Sequence, residues 1–415
     1  MTTSWIHNKH IPLLCILPLT VVVFSPTFGN GFQMEWDDQW MVHNPLTESR
    51  LDWAIIKAIW AYPFNGQFGP INQMLYNALF QLDGYNPTVF HCASLLLHII
   101  NIIVVYILSN KINSDVLLLN KADGLLFTSC VTFLFAVHPL QVETIAWISA
   151  SKILLSATFL LLSSYFLILF LKKGNNFGYI VSLMLFLMAY YSKEQALSFP
   201  FAATILCICY GFGYKTSRFW IVLFPLYITA FVLGLHLIYR VASYDEFMAA
   251  DLYPFWQRII FSCYSLLKYC ALWLCPINLS WAYPYPNHIG EPLPSYLTLL
   301  PFVIVTCFFT FKNILLDKKI LTCLLFFTAN MIFVLHITIL PRFAVVADRY
   351  MYLPILGLNA IFAFSLLSLK KYCKFSHIVI IFMMIIVSCM GVSFMRTMDW
   401  DNSEKLRRNN VQQLI

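Results

Sequence analysis

The sequence predicts an all-α polytopic membrane protein with about eleven transmembrane helices and further amphipathic helices on its outer face. Two observations carry this. Of its 415 residues, 60% are hydrophobic and 11% charged, and the mean hydropathy is +0.74. A soluble core cannot hide that much apolar surface, so composition overrides the two or three soluble domains that length alone suggests. The apolar residues also fall into runs of spanning length, roughly 11–29, 88–109, 123–139, 153–171, 177–192, 196–212, 219–239, 296–311, 320–340, 350–369 and 376–395.

The first run follows Lys9 and His10 as a signal peptide would. It lacks an A-x-A-like cleavage site and many more runs follow, so it reads as the first span. Next comes a long loop, 30–87, opening on "MEWDDQW" and carrying two amphipathic stretches, Leu51–Trp60 and Ile71–Leu82. Both have aromatics suited to a membrane surface.

The net charge of +7 lies in short basic clusters: Lys172–Lys173, Lys215–Arg218, Lys312–Lys319 and Lys370–Lys374. Such clusters fix topology and give no argument for a nucleic-acid partner; all four are expected in the cytoplasm. One more apolar stretch, Ile259–Cys275, has Lys268 in its middle and Pro276 at its end. If it crossed, the last two clusters would lie outside. It is therefore expected to lie at the outer interface or to dip in and return, within a second long outer loop, 240–295. This makes 1–395 one transmembrane domain, with a cytoplasmic N-terminus and a short tail, 396–415, on the outer side.

Acidic residues were not used to build that topology. On it, Asp115, Asp123 and Asp317 face the cytoplasm, and the remaining sixteen of nineteen face outward. The polar chemistry is therefore expected outside. The twelve cysteines form no C-x-x-C pair and read as small hydrophobes. No cofactor is implied and no cluster has convincing metal-ligand spacing, although adjacent carboxylates can bind Mg²⁺ or Mn²⁺ weakly.

Four outer clusters are candidate sites: Glu35 with Asp37 and Asp38; His138 and Glu143 with Lys152; Lys193-Glu194; and Asp348-Arg349. Ionisable groups at the membrane edge are expensive and point to function. Each also has a plain structural reading: a solvated pair, a helix cap, an ion pair closing a turn, and a cap or local pair. Adjacent carboxylates repel, which raises one pKa towards the range of a general base.

Six segments occur in order: "WDDQWMVHNP" (36–45), "GYNPTVFHCASLLLHIINIIVVY" (84–106), "LLFTSCVTFLFAVHPLQVETIAWISASK" (125–152), "YSKEQALSFPF" (191–201), "VVADRYMYLPILGL" (345–358) and "RTMDWDNSEKLRRN" (396–409). Together they resemble the membrane half of the transmembrane and tetratricopeptide-repeat O-mannosyltransferase family, within the GT-C glycosyltransferases. The resemblance implies a multispanning helical fold and a site on the luminal or periplasmic side. It also implies a polyprenyl-phosphate sugar donor, a protein or glycan acceptor, and a bacterial inner-membrane location. The family's acidic motif, taken to hold the catalytic base, falls on Asp37 and Asp38, and Asp38 is slightly preferred. Lys152, Lys193, Arg342 and Arg349 are the cations at suitable height for the lipid phosphate.

The chain departs from the family where Ser151-Lys152-Ile153 replaces Arg-Lys-Asp and Phe68-Gly69-Pro70 replaces a Tyr-Arg-Pro-like segment. No tetratricopeptide array follows the last run. Two other classes therefore stand beside a glycosyltransferase: a catalytically inactive membrane scaffold, and a transporter or flippase of lipid-linked saccharides. The flippase predicts charges buried mid-span. Here mid-span polar residues are few: His98, Asn101, His236, Asn330 and His336.

Overall fold

The structure is a computed structural model that describes residues 10–61, 67–242, 253–337 and 344–414. These residues are helical almost throughout. The chain begins with α1 (Ile11–Phe24) and a 3-10 turn, Ser25–Gly29. Four helices then fill the first long loop: α2 (Asp38–Met41), α3 (Pro45–Glu48), α4 (Trp53–Ala61) and α5 (Pro70–Asp83). The last two coincide with the amphipathic stretches of the sequence.

The centre is built from α6 (Pro87–Ile112), α7 (Lys121–Val137), α8 (Val142–Ala146), α9 (Ser151–Lys173) and α10 (Asn176–Ser192). Around them lie α11 (Phe199–Cys209), α12 (Ser217–Ala242), α13 (Phe255–Leu274), α14 (Leu300–Leu315), α15 (Lys318–Met331), α16 (Ile355–Ser368) and α17 (Phe375–Asp399). A polar helix, α18 (Ser403–Leu414), ends the described chain. An antiparallel bridge joins Tyr283 to Val346.

Local chemistry sets the boundaries. The Asn86 side chain accepts the Thr88 N–H at 3.1 Å and Pro87 opens α6. Lys172 and Lys173 occupy the last turn of α9, which stops at Gly174 with φ +68°. Asp317 caps α15 by accepting from the N–H groups of Lys319 and Ile320.

A helix occupies each of the eleven apolar stretches over the described residues. Not all have spanning length. Six helical segments are long and apolar enough to cross a membrane: Ile11–Gly29, Pro87–Leu117, Ile148–Lys173, Ser217–Arg240, Ser295–Leu315 and Phe375–Asp399. A seventh appears if α7 and the bent Pro139–Ala146 segment, 50° away, count as one span. The rest fall short because loops and breaks divide the apolar runs into pieces of 17 residues or fewer. The helix over Ile259–Cys275, α13, is not among the six.

Burial separates centre from rim. Two thirds (67%) of the apolar window of Ile148–Lys173 is buried, against 6% for Ser295–Leu315. Inside, Tyr352 ties α6 to its neighbours: its hydroxyl meets His98 Nδ1 at 2.8 Å and accepts from Asn101 at 3.0 Å. His98 Nε2 also meets the Ala136 carbonyl at 3.0 Å. His98, Tyr352 and the Asn101 amide nitrogen thus find partners within the core.

The segment after α17 is docked onto the first loop. Gly31 N–H donates to Asp401 O at 2.8 Å, the Asn30 amide to Thr397 O at 3.1 Å, and the Gln33 amide to Trp400 O at 2.7 Å.

Polar clusters mark both ends of α9. From Lys152 to Lys172 the helix rises about 30 Å, the thickness of a bilayer core. At the Lys172 end, Asp115 takes Lys172, Lys111 at 3.4 Å and the Tyr210 hydroxyl at 3.2 Å, while Lys370 pairs with Asp123. The candidate site is at the other end.

Candidate functional site

The acidic motif begins where the chain leaves the turn after α1. Asp37 has helical backbone angles (φ −58°, ψ −25°) and leads into α2. The two neighbouring carboxylates therefore diverge by about a helical step of 100°. Asp38 turns inward and is fully buried. Its Oδ2 accepts the Gln33 N–H at 2.7 Å, and its Oδ1 accepts the Ser149 N–H at 2.9 Å and the Ser149 hydroxyl. Burial pushes the Asp38 carboxyl up to about 6; the hydrogen bonds from Ser149 and Gln33 pull the other way, and the Asp37 charge adds to the rise.

Asp37 turns outward. Its carboxylate, with 30% of the side chain exposed, stands 3.8 Å from Lys152 Nζ. Lys152 projects from the first turn of α9. It donates to Gln67 Oε1 at 2.6 Å and touches the Met41 sulfur at 3.3 Å.

Beside this pair, α10 ends at Lys193, whose extended backbone (φ −157°, ψ 128°) breaks the helix before Glu194. Their side chains form an ion pair. Gly69 approaches the same turn: a Cβ there would stand 3.1 Å from the Ser192 carbonyl oxygen. The absence of the family's arginine at this position thus matches a tight backbone approach. Likewise Ser151, where the family's other arginine falls, donates to the Tyr76 hydroxyl at 3.1 Å.

Two small clefts meet at Lys193. The first, about 40 Å³, is lined by Met41, Gln67, Phe68, Asn72, Lys152 and Glu194. The second, about 30 Å³, runs between apolar walls of Ile153, Ala157, Leu160 and Leu353, with Arg349 among its lining residues.

Arg349 pairs with Glu143 twice, through the guanidinium and through its own N–H at 2.9 Å. It lies over the rings of Trp147 (5.2 Å) and Tyr350 (4.9 Å). Burial works against its charge, but the Glu143 carboxylate outweighs this and holds the guanidinium above its ordinary value. Asp348 is buried and accepts from the Tyr283 hydroxyl at 3.0 Å. Burial, with Glu143 nearby, pushes its carboxyl well above the usual carboxylate range.

Eight of the residues singled out by sequence thus come together: Asp37, Asp38, Glu143, Lys152, Lys193, Glu194, Asp348 and Arg349. Lys152 lies within electrostatic range of Asp37, Lys193, Glu194 and Arg349. Two others point elsewhere. His138 is a capping residue, its Nδ1 accepting the Leu140 N–H at 3.2 Å and its Nε2 bonded to Trp273 O at 2.9 Å. Glu35 faces α18, 3.6 Å from Arg407. Arg342 lies outside the described residues.

Sequence reasoning passed over Gln33, Ser149 and Arg240. Ser149 sits in the "AWIS" block, which carried family resemblance but no visible role. Arg240 lies over the Phe68 ring at 4.8 Å, from the far end of α12. Among the described residues, no group of three or more His, Cys, Asp or Glu side chains is placed to hold a metal ion. No protein-family model and no curated protein matches the chain.

Proposed function

We propose that the protein is a membrane glycosyltransferase of the GT-C type. It transfers a sugar such as mannose from a polyprenyl-phosphate donor to a protein or glycan acceptor on the periplasmic side of a bacterial inner membrane. The observation that carries this reading is one continuous arrangement. A part-exposed carboxylate, Asp37, pairs with Lys152, which lines the first cleft, and Lys193 joins that cleft to an apolar groove that Arg349 helps line.

The chemistry follows. The acceptor hydroxyl attacks the anomeric carbon and gives its proton to Asp37 as the new C–O bond forms. The bond from the anomeric carbon to the phosphate oxygen breaks, and the lipid phosphate leaves with the electron pair. Lys193 and Arg349 face that charge, and the apolar groove takes the first isoprenoid units. Asp38 has no free face for an acceptor, because donors occupy both of its oxygens. The base is therefore Asp37 and the loop anchor is Asp38, the reverse of the slight preference from sequence.

The same reading places all eleven apolar helices across the bilayer, with α13 at the outer interface. Single cysteines at 256 and 288, in a cysteine-free background, should both be modified from outside only. Protection of position 288 would sink that topology.

One observation favours the inactive scaffold instead. Lys152, Lys193 and Arg349 each have a carboxylate partner within the protein. The deciding assay uses purified protein, radiolabelled polyprenyl-phosphate sugars and cell-envelope acceptors. Label transfer by the wild type and none by Asp37→Asn supports the enzyme. No transfer by either across the panel of sugars supports the scaffold.

A further inference from the structure

The acidic motif is held by a part of the chain more than 360 residues away: the Glu35 N–H donates to Ser403 Oγ at 3.3 Å, and Gln33 makes the fully buried link. Its side-chain amide donates to Trp400 O at 2.7 Å, its side-chain oxygen accepts the Ser403 hydroxyl at 3.3 Å, and its own N–H donates to Asp38 Oδ2 at 2.7 Å. No regular structure covers Asn30–Gln33, so this stretch takes its position from tertiary contacts. Those contacts, from Asn30 and Gly31 as well as Gln33, converge on residues 397–403.

That segment also braces the opposite wall of the site. The Trp400 ring stacks on Trp147 at 6.0 Å and meets Trp36 edge-on at 6.5 Å. Trp147 in turn lies under the Arg349 guanidinium. One segment therefore touches both the support of the carboxylate pair and the support of the arginine.

We propose that Gln33 is a positioning residue for Asp37, and that Trp400–Ser403 sets its place. Asp38 is clamped between Ser149 on one side and Gln33 on the other. With the Gln33 clamp loosened, the turn can rotate about the Ser149 contact, and Asp37 leaves the 3.8 Å position beside Lys152. The kinetic part of this inference rests on the glycosyltransferase reading; the geometric part does not.

The test has two arms. In the first, the full chain with its native cysteines replaced carries Asp37→Cys, and maleimide labelling is followed against pH. Beside Lys152 the thiol should ionise below its ordinary value of about 8.5. Adding Gln33→Met should return the midpoint towards about 8.5, and Ser403→Ala should move it the same way by less. If Gln33→Met fails to fold, Ser403→Ala measures the 400–403 contact as a whole, since its hydroxyl holds both Gln33 Oε1 and the Glu35 N–H. A midpoint of about 8.5 in the parent, or one that neither variant moves, overturns the proposal.

The second arm is transfer by the otherwise native protein. Gln33→Met should lower kcat about 10-fold while KM for the sugar donor stays within about two-fold, because the lost contact sets geometry and not binding. If Asp37→Asn abolishes transfer while Gln33→Met changes nothing, positioning by Gln33 is wrong and the enzyme reading stands. If the thiol midpoint shifts but no form of the protein transfers any sugar, the enzyme reading fails and the positioning stands.

Discussion

At its C-terminal end α9 presents Lys172, half exposed, to Asp115; at its N-terminal end it presents Lys152, nearly buried, to Asp37. The residue types are the same, but the open member of the pair is exchanged: Lys172 is half exposed and Asp115 enclosed, whereas Lys152 is enclosed and Asp37 partly exposed. Around Lys172 the lysines are in excess: Asp115 takes Lys172 and Lys111, and Asp123 takes Lys370. Around Lys152, five carboxylates (Asp37, Asp38, Glu143, Glu194 and Asp348) face four cations: Lys152, Lys193, Arg349 and Arg396. Asp38, Glu143 and Asp348 are enclosed, and the carboxyls of Asp38 and Asp348 are pushed upward. On the proposed topology the end with spare cations holds orientation in the membrane. On the glycosyltransferase reading the other end, with spare carboxylates, supplies proton-accepting capacity.

The comparison breaks most easily at Asp37. Asp37→Asn keeps the shape but removes proton acceptance, so transfer turnover should fall about 10²–10⁴-fold with sugar-donor binding largely kept. Single-turnover transfer and filter binding on the same preparation separate the two. Near-wild-type turnover would make both ends of α9 merely structural.

Arg349 comes next. Its removal leaves the Glu143 charge in a dry site with the backbone N–H of residue 349 but no cation, and an uncompensated buried charge typically costs about 3–5 kcal/mol. Arg349→Met should therefore melt well below wild type in detergent. The double variant with Glu143→Gln should recover most of that loss, because the two effects are coupled. Recovered stability without recovered transfer would assign Arg349 to the lipid phosphate. Recovery of both would leave it a structural pair.

Much of this contrast was legible beforehand. Helices occupy each apolar run because hydropathy is a local property, and the acidic excess lies opposite the basic clusters on which the topology was built. The structural reading of His138 as a cap was legible too, since Pro139 follows it. The division of labour within the acidic pair was not. The backbone at Asp37 is helical, and Asp38 turns into donors supplied by Ser149, more than 100 residues on. Gln33 was invisible for the same reason: its partners lie at 400 and 403, and no local pattern encodes a contact so distant in sequence. Helix length was overestimated at 196–212, where the 3-10 turn Glu194–Ser198 takes the start of the run and α11 covers only Phe199–Cys209.

Asp38 sharpens the comparison through pH. Its carboxyl ionises near 6 in the folded protein against an ordinary 3.8, so the folded state holds the proton more tightly. Its contribution to stability is present in full below about pH 4 and is lost as pH rises through about 6. The melting temperature of the wild type, relative to Asp38→Asn, should therefore fall between pH 4 and pH 6.5 and then level off. At neutral pH the Asn variant should also lose about 1–3 kcal/mol, because one amide group cannot accept hydrogen bonds on both sides. A difference between wild type and variant that is flat across this window would mean that Asp38 is not dry.

The smallest effect belongs to the far end of α9. Lys172 is 49% exposed in its side chain, and its partner Asp115 keeps Lys111 at 3.4 Å and the Tyr210 hydroxyl at 3.2 Å when Lys172 is gone. A pair whose lysine is half exposed contributes little, because water and salt screen it and ordering a long side chain costs entropy. Lys172→Met should then shift stability by less than about 1 kcal/mol and leave transfer unchanged. The shift should shrink further in 0.5 M salt, where screening acts within about 4 Å. Arg349→Met, at the dry end, should respond far less to salt. If Lys172→Met instead cost as much as Arg349→Met and ignored salt, the two ends of α9 would be equally buried. The excess of carboxylates at one of them would then carry no argument for function.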